Sequence, residues 1–461
     1  MNHSCPNAIR RYGCFLILLI MGAAAHGAVD TWISTTSGTW SKKDNWSGDV
    51  PNSASSVIFN CSAGLETAIT LSAKSSSNSL VFNAAGGANA YTFDTAQTVN
   101  AHTLTLTSGI TNSAAATQTF YNTFRLAGNQ TWNAGSGALV FNGEINLGSR
   151  ASSYALTING SNAVTMSGVI ANGGTAAGSL TYAGTGTLTL SGTTANSYTG
   201  ATLINNGTIQ LNKTAGTNAI GGSTVTIGDG IGAANSASLT LLAANQIADY
   251  AGLITVNSDG QLNLNNQSES INTLAGTGAI AFGPTGYLGV GVNSGSSTFG
   301  GSLTGTGVLE KVGSGTLTFD SSFNFSGELR ITSGTVVLAG ITATVGTLHI
   351  TGNTILDFGN SSASTLNATT LIIDAGVTLT ITNWVNAVDY FYAQNFNRAT
   401  LDTRGGTPTN QITFTGYSNN NTGWLSYDHQ VTPAPEPATY GALFVALCLG
   451  LIGLRRRRQK A

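Results

Sequence analysis

The sequence predicts an all-β chain built as a solenoid with capping segments, framed by an N-terminal signal peptide and one C-terminal hydrophobic helix. Three observations carry this. Short apolar–polar–apolar triplets recur through the body, at Leu104-Thr105-Leu106, Leu156-Thr157-Ile158, Leu188-Thr189-Leu190, Val225-Thr226-Ile227, Leu262-Asn263-Leu264, Leu317-Thr318-Phe319 and Leu379-Thr380-Ile381. Such period-two alternation sends the apolar side chains to one face and Thr or Asn to the other. The triplets are punctuated by turn dipeptides, Asn159-Gly160, Asn206-Gly207, Asp229-Gly230 and Asp259-Gly260, in a chain with 59 glycines. Glycine takes turn conformations that other residues resist. Lastly, no stretch of the body has a helical period, and one stretch repeats.

Taken in order, residues 1–28 read as a signal peptide. Arg10 and Arg11 precede the apolar run Cys14–Met21, and the small residues from Gly22 to Ala28 offer a signal-peptidase site between Ala25 and Ala28. Residues 29–100 read as an N-terminal cap and first rungs. They carry Gly38-Thr39-Trp40, Asn45-Trp46, Val50-Pro51-Asn52 and the strand Val57-Ile58-Phe59. A solenoid needs a cap because its first rung otherwise exposes an apolar end and an open strand edge.

The stretch 101–350 reads as the solenoid proper and holds the repetition. Gly184, Gly186, Thr187, Leu188 and Leu190 align with Gly313, Gly315, Thr316, Leu317 and Phe319. After a turn of different length, Tyr198, Gly200, Ile204, Gly207, Ile209 and Leu211 align with Phe325, Gly327, Ile331, Gly334, Val336 and Leu338. Three strands separated by glycine corners are expected in each copy. Residues 351–431, with Leu356-Asp357-Phe358, Asn383-Trp384, Asp389-Tyr390-Phe391 and Trp424, read as last rungs and a C-terminal cap.

Residues 432–461 form a distinct tail. A proline-stiffened linker leads into the apolar segment 438–454 and a basic stop at 455–460, Arg455, Arg456, Arg457, Arg458, Gln459 and Lys460. The uncharged core of that segment, Tyr440–Leu454, makes a helix of roughly 22 Å at about 1.5 Å per residue. The hydrocarbon core of a bilayer is about 30 Å thick. Arginine snorkelling makes up part of the deficit. The cationic end predicts a cytoplasmic C-terminus with the body outside.

These motifs carry two resemblances. Pro435-Glu436-Pro437, the short apolar helix and the terminal arginines together resemble the PEP-CTERM sorting signal of Gram-negative bacteria. That resemblance implies recognition of Pro435, Glu436 and Pro437 by an exosortase, cleavage near the motif and release of the body toward the surface or an exopolysaccharide matrix. A plain membrane anchor has the same topology. The copies at 180–211 and 309–338 resemble the autotransporter-associated β-strand repeat, which implies a right-handed parallel β-helix. The chain differs from autotransporters in ending on the sorting tail where they carry a membrane barrel.

Composition narrows the function. Only 8% of the 461 residues are charged, against about 25% in an ordinary soluble domain. Without Arg10, Arg11, Glu436, Arg455–Arg458 and Lys460, the 17 basic and 19 acidic residues leave a body at about −8. Those charges are scattered, so no nucleic-acid partner is expected. Cys61 is the one body cysteine, so no disulfide is expected within the mature chain. His102, His349 and His429 lack ligand-spaced partners and read as solvent-facing or turn residues, so neither metal nor cofactor is expected. Lys213, Lys311 and Arg330 stand isolated among neutral neighbours, and Asp229 and Asp259, each before glycine, read as turn formers.

The expectation is therefore a non-catalytic surface or matrix protein with an adhesion or biofilm role. Its partners are signal peptidase, exosortase, the membrane before processing, and exopolysaccharide. Two alternatives stay open. In a glycan-binding protein Trp40, Trp46, Trp384 and Trp424 are the candidate contacts, against core packing of the caps. In a β-helix polysaccharide lyase or hydrolase, converging carboxylates are required.

Overall fold

A computed structural model describes residues 27–433, except 35, 61–66, 84–88, 250–251, 360–361, 397–410, 418–421 and 425–428. The leader through His26, Cys61, the motif Pro435–Pro437, the apolar segment 438–454 and Arg455–Arg458 lie outside the described residues. The chain divides into two compact units, one ending at Ala281 and one beginning at Phe282. That boundary falls inside the stretch 101–350. Among the described residues the only helical turns are the 3-10 segments Lys43–Asn45 and Ala96–Thr98, and no helix is long and apolar enough to cross a membrane.

Each unit is a parallel β-solenoid. In the first, Ile158, Tyr182, Ile204, Ile227 and Val256 stand side by side on successive strands of one ladder. On a second ladder Val164, Leu188, Ile209, Leu239 and Leu262 do the same. All ten side chains are buried. In the second unit the columns are Leu288, Leu309, Leu329, Leu348 and Leu371, and Leu317, Val336, Leu356, Ile381 and Phe414. Each aliphatic side chain so buried contributes roughly 2 kcal/mol, and the ladder bonds satisfy the backbone beneath it.

Alternation decides what faces out. Strand after strand runs buried and half-buried in turn, as in Ser179–Tyr182, Thr224–Ile227, Thr316–Phe319 and Thr335–Leu338. The outward members there are Ser and Thr, with one exception in Val337. Antiparallel pairing is confined, among the described residues, to Gly148–Ser149 with Ser152–Ser153, Thr422–Trp424 with Val431–Pro433, and the single bridges Trp32–Trp46 and Tyr392–Gln430.

The repeat contains four strands and not the expected three. The first copy holds Ser179–Tyr182, Thr187–Gly192, Thr202–Ile204 and Gly207–Lys213. Its first strand pairs with its third and its second with its fourth, so Leu188 lies beside Ile209 and Leu190 beside Leu211. The second copy holds Val308–Lys311, Thr316–Phe319, Phe323–Ile331 and Thr335–Leu338, paired the same way. The extra strand escaped alignment because Leu180-Thr181-Tyr182 and Leu309-Glu310-Lys311 share little beyond one leucine. Each copy is two stacked passes of chain, not one.

Candidate functional site

The repeat signature is a device for turning corners. Gly207 and Gly334 adopt φ of 66° and 78°, a region that costs a β-carbon about 1–2 kcal/mol. A β-carbon on Gly207 would also strike the carbonyl oxygens of Gly184 and Gly186, and one on Gly334 those of Gly313 and Gly315. The glycines of one pass therefore seat the glycine of the next. Between the corners Leu188, Leu317, Tyr198 and Phe325 are buried. The Tyr198 hydroxyl bonds Thr202 Oγ1 at 2.6 Å. Gly200 and Gly327 pass against the carbonyls of Gly178 and Gly307. These residues hold the fold; none offers a reactive group to solvent.

The tryptophans divide differently from the glycan-contact expectation. Trp40, Trp46 and Trp384 are 1%, 3% and 5% exposed, which leaves no ring face for a sugar. Trp46 packs edge-on against Trp32 and Trp40 at 4.9 and 4.8 Å, and its indole N–H donates to the Trp40 carbonyl at 2.7 Å. From there Phe59, Phe82, Phe93, Phe120 and Phe141 continue the aromatic packing inside the first unit. Trp384 packs on Phe358 and Phe414. Trp424 ends a described strand, but its side chain lies outside the described set.

The isolated basic residues are not isolated in the fold. Lys311 is fully buried, and its ammonium donates to the carbonyls of Val312, Gly313 and Ser333 at 2.6, 2.8 and 3.3 Å, beneath the Gly313–Gly334 corner. Lys213 is buried as well and donates to the Ser191 carbonyl at 2.8 Å. Burial lowers both lysines to about 8. Carboxylates are buried too. Glu269, raised to about 7 by burial, accepts the backbone N–H groups of Gln246, Ile247 and Ser270. Asp259 is buried and accepts the N–H groups of Asp229 and Gly230, a turn role in keeping with its sequence context.

Arg330 belongs to a charged column on the outer face of the second unit. Parallel register puts Glu310, Arg330 and His349 next to one another on successive strands. The guanidinium donates to Glu328 at 2.7 Å and lies 3.6 Å from Glu310; these carboxylates and burial act on it in opposite senses, with a net upward shift. His349 faces Glu328 through Nδ1 at 3.0 Å and Asp374 through Nε2 at 3.1 Å, with a carboxylate at each ring nitrogen. Tyr287 bonds Glu310, and burial is the first cause of its raised phenol. His102 is likewise partnered, lying 3.1 Å from Asp94, while His429 takes a turn conformation at φ 63°. Sequence reasoning missed the column because its members are separated by a full turn of chain.

Beside the column the ladder of the long strands is interrupted. Pairing runs from Phe325 to Val345 to Ala368, then resumes at Glu328, Thr347 and Thr370. Of the residues passed over, Ser326, Gly327, Gly346 and Thr369, all but Gly327 line an open groove of about 410 Å³ with Asn324 and Thr344. Among the described residues no group of three or more His, Cys, Asp and Glu is placed to hold a metal.

Comparison with known proteins bears on the corners. Residues 180–211 and 309–338 match the family model described as Passenger-associated-transport-repeat. No curated protein and no solved structure matches the chain. The matched stretches coincide with the two internal copies and support their likeness to the autotransporter-associated β-strand repeat. Repeat and solenoid together point to a passenger-like, secreted or surface-exposed protein.

Proposed function

We propose that this chain is an exported, non-catalytic solenoid of the bacterial surface or extracellular matrix, acting in adhesion or in exopolysaccharide and biofilm architecture. The observation that carries the reading is the pair of passenger-type repeats set in parallel ladders whose outward positions are mainly hydroxyl and amide side chains. Such a surface is hydrated and nearly uncharged, which suits a polysaccharide environment. Arg330 binds Glu310 and Glu328 into ion pairs, which favours a clamp across strands over the free acid and base that hydrolysis needs.

In this reading a signal peptidase removes the leader of a Gram-negative secretory precursor. The C-terminal helix anchors the body transiently, and an exosortase acts at Pro435-Glu436-Pro437. Fractionation with intact mass of the mature protein tests it. Loss of everything after the Pro435–Pro437 region in the surface fraction is the expected result. Arg455–Arg458 retained in every fraction overturns sorting and leaves a plain anchor. Product release from acidic polysaccharides with calcium overturns the non-catalytic reading.

A glycan-binding role is the second reading. The buried Trp40, Trp46 and Trp384 do not favour it, but the open groove of the second unit, with Asn324, Ser326, Thr344, Thr347 and Thr369 in its lining, does.

A further inference from the structure

We infer that the outer face of the second unit carries a trough for an extended, uncharged polysaccharide, laid across the strands along the row Asn324, Thr344, Asn367 and Tyr392. The inference rests on the surface and matrix reading above and names the ligand class.

The row is a product of register. Asn324 pairs with Thr344, Thr344 with Asn367, and Asn367 with Tyr392, on four successive strands. All four side chains sit at outward, exposed or half-exposed positions. The amide of Asn367 donates to Thr344 Oγ1 at 3.5 Å, a long bond that a better acceptor can replace. At its start the row borders the groove of about 410 Å³ that Ser326, Gly346 and Thr369 also line. At its other end Tyr392 stacks on Tyr390, with planes 3° apart and centroids at 5.9 Å.

The ligand class follows from three properties of this surface. Amide and hydroxyl groups alternate along the row, which is the donor and acceptor pattern that sugar hydroxyls match. Neighbouring strands lie about 4.8 Å apart, close to the length of one pyranose along an extended glycan, so each strand can meet one sugar. The parallel tyrosines present an aromatic surface at the end of the row, suited to the C–H face of a ring. Charge then excludes the acidic glycans. The row and groove floor carry none, Glu328 is paired in register with Thr347 of the groove lining, and in the charged column, among the described residues, Glu310, Glu328 and Asp374 outnumber Arg330 and His349. A polyanion laid here would meet an excess of carboxylates.

The test uses the full chain titrated with cellohexaose, laminarihexaose and chitohexaose, and with hexagalacturonate as the acidic arm. At least one uncharged hexaose is expected to bind saturably, ahead of hexagalacturonate. Asn324→Ala with Thr344→Ala is expected to weaken that binding about tenfold, as loss of two or three hydrogen bonds implies. Tyr392→Ala is expected to weaken it as well. Each variant is surface-placed, and an unchanged thermal melt shows that the fold is kept. Failure of all three uncharged hexaoses overturns the trough, as do unchanged affinity in the variants and preference for the acidic hexamer. So does concentration-dependent self-association that the Asn324–Thr344 double variant abolishes, because a second copy then occupies the face. Tail mass reads the surface proposal separately: binding with an unprocessed tail leaves the trough standing, and surface delivery without binding removes the trough alone.

Discussion

Arg330 donates from Nε to a Glu328 carboxylate oxygen over 2.7 Å, joining two side chains that leave the strand Phe323–Ile331 on the same outward face. Glu310 on the neighbouring strand completes the charge pattern. Replacing Arg330 with methionine keeps the packing of the stem and leaves Glu310 and Glu328, diagonal neighbours on adjacent strands, without the cation they share. A loss of about 1 kcal/mol is expected, since the groups are partly exposed and screened. The sign of the salt effect separates this from lost packing. Added salt weakens the attraction in the native protein and relieves the repulsion in the variant. Urea melts at low and high salt check the reversal.

Gly207 and Gly216 both have positive φ, 66° and 78°, but differ in what surrounds them. A β-carbon on Gly216 meets nothing within 4 Å, whereas one on Gly207 meets the Gly184 and Gly186 carbonyls. Gly216→Ala is expected to lose roughly 1 kcal/mol from backbone strain alone. Gly207→Ala adds overpacking against fixed backbone and is expected to lose roughly 3 kcal/mol. Gly334→Ala should behave like Gly207→Ala. Denaturant midpoints for the three variants decide this, and equal losses would remove the stacked-corner account.

Burial of ionisable groups gives the stability an unusual pH dependence. Glu269 is raised from 4.5 to about 7. Between those values the folded chain holds a proton that the unfolded chain has released, so stability falls as pH rises. Lys213 and Lys311 are lowered from 10.5 to about 8. Between those values the unfolded chain holds the extra protons, so stability rises with pH. These three groups together place a minimum between about pH 7 and pH 8. Urea melts from pH 5 to pH 10 should trace it. Glu269→Gln should flatten the acid limb, and Lys213→Met with Lys311→Met the alkaline one.

Trp46 is a packing residue of the first unit. Trp46→Ala removes edge-to-face contacts with Trp32, Trp40 and Phe59 and the bond to the Trp40 carbonyl. A loss of about 3–5 kcal/mol is expected from the cavity, read by chemical denaturation. Affinity for uncharged hexaoses, measured on the folded fraction, should stay unchanged, because the trough residues lie in the second unit.

What the sequence alone determined is the local periodicity and its consequences. Leu188-Thr189-Leu190 and its counterparts state which side chain turns inward, and a strand has only two faces to choose from. Glycine spacing marked the corners and located both repeats, since few residues tolerate those conformations. Low charge and the two ends, Arg10–Ala28 and Pro435–Lys460, suggested export. Tertiary structure decided everything that depends on which strand lies beside which. The fourth strand of each repeat, the burial of Trp40, Trp46 and Trp384, the carbonyl cage around Lys311 and the Glu310–Arg330–His349 column all come from register between passes of chain. Asn324, Thr344, Asn367 and Tyr392 form one row for the same reason. The turns between those strands differ in length, so no fixed spacing in the sequence lines them up. The ladder does, because backbone hydrogen bonds across adjacent passes admit one register that keeps every inward leucine buried.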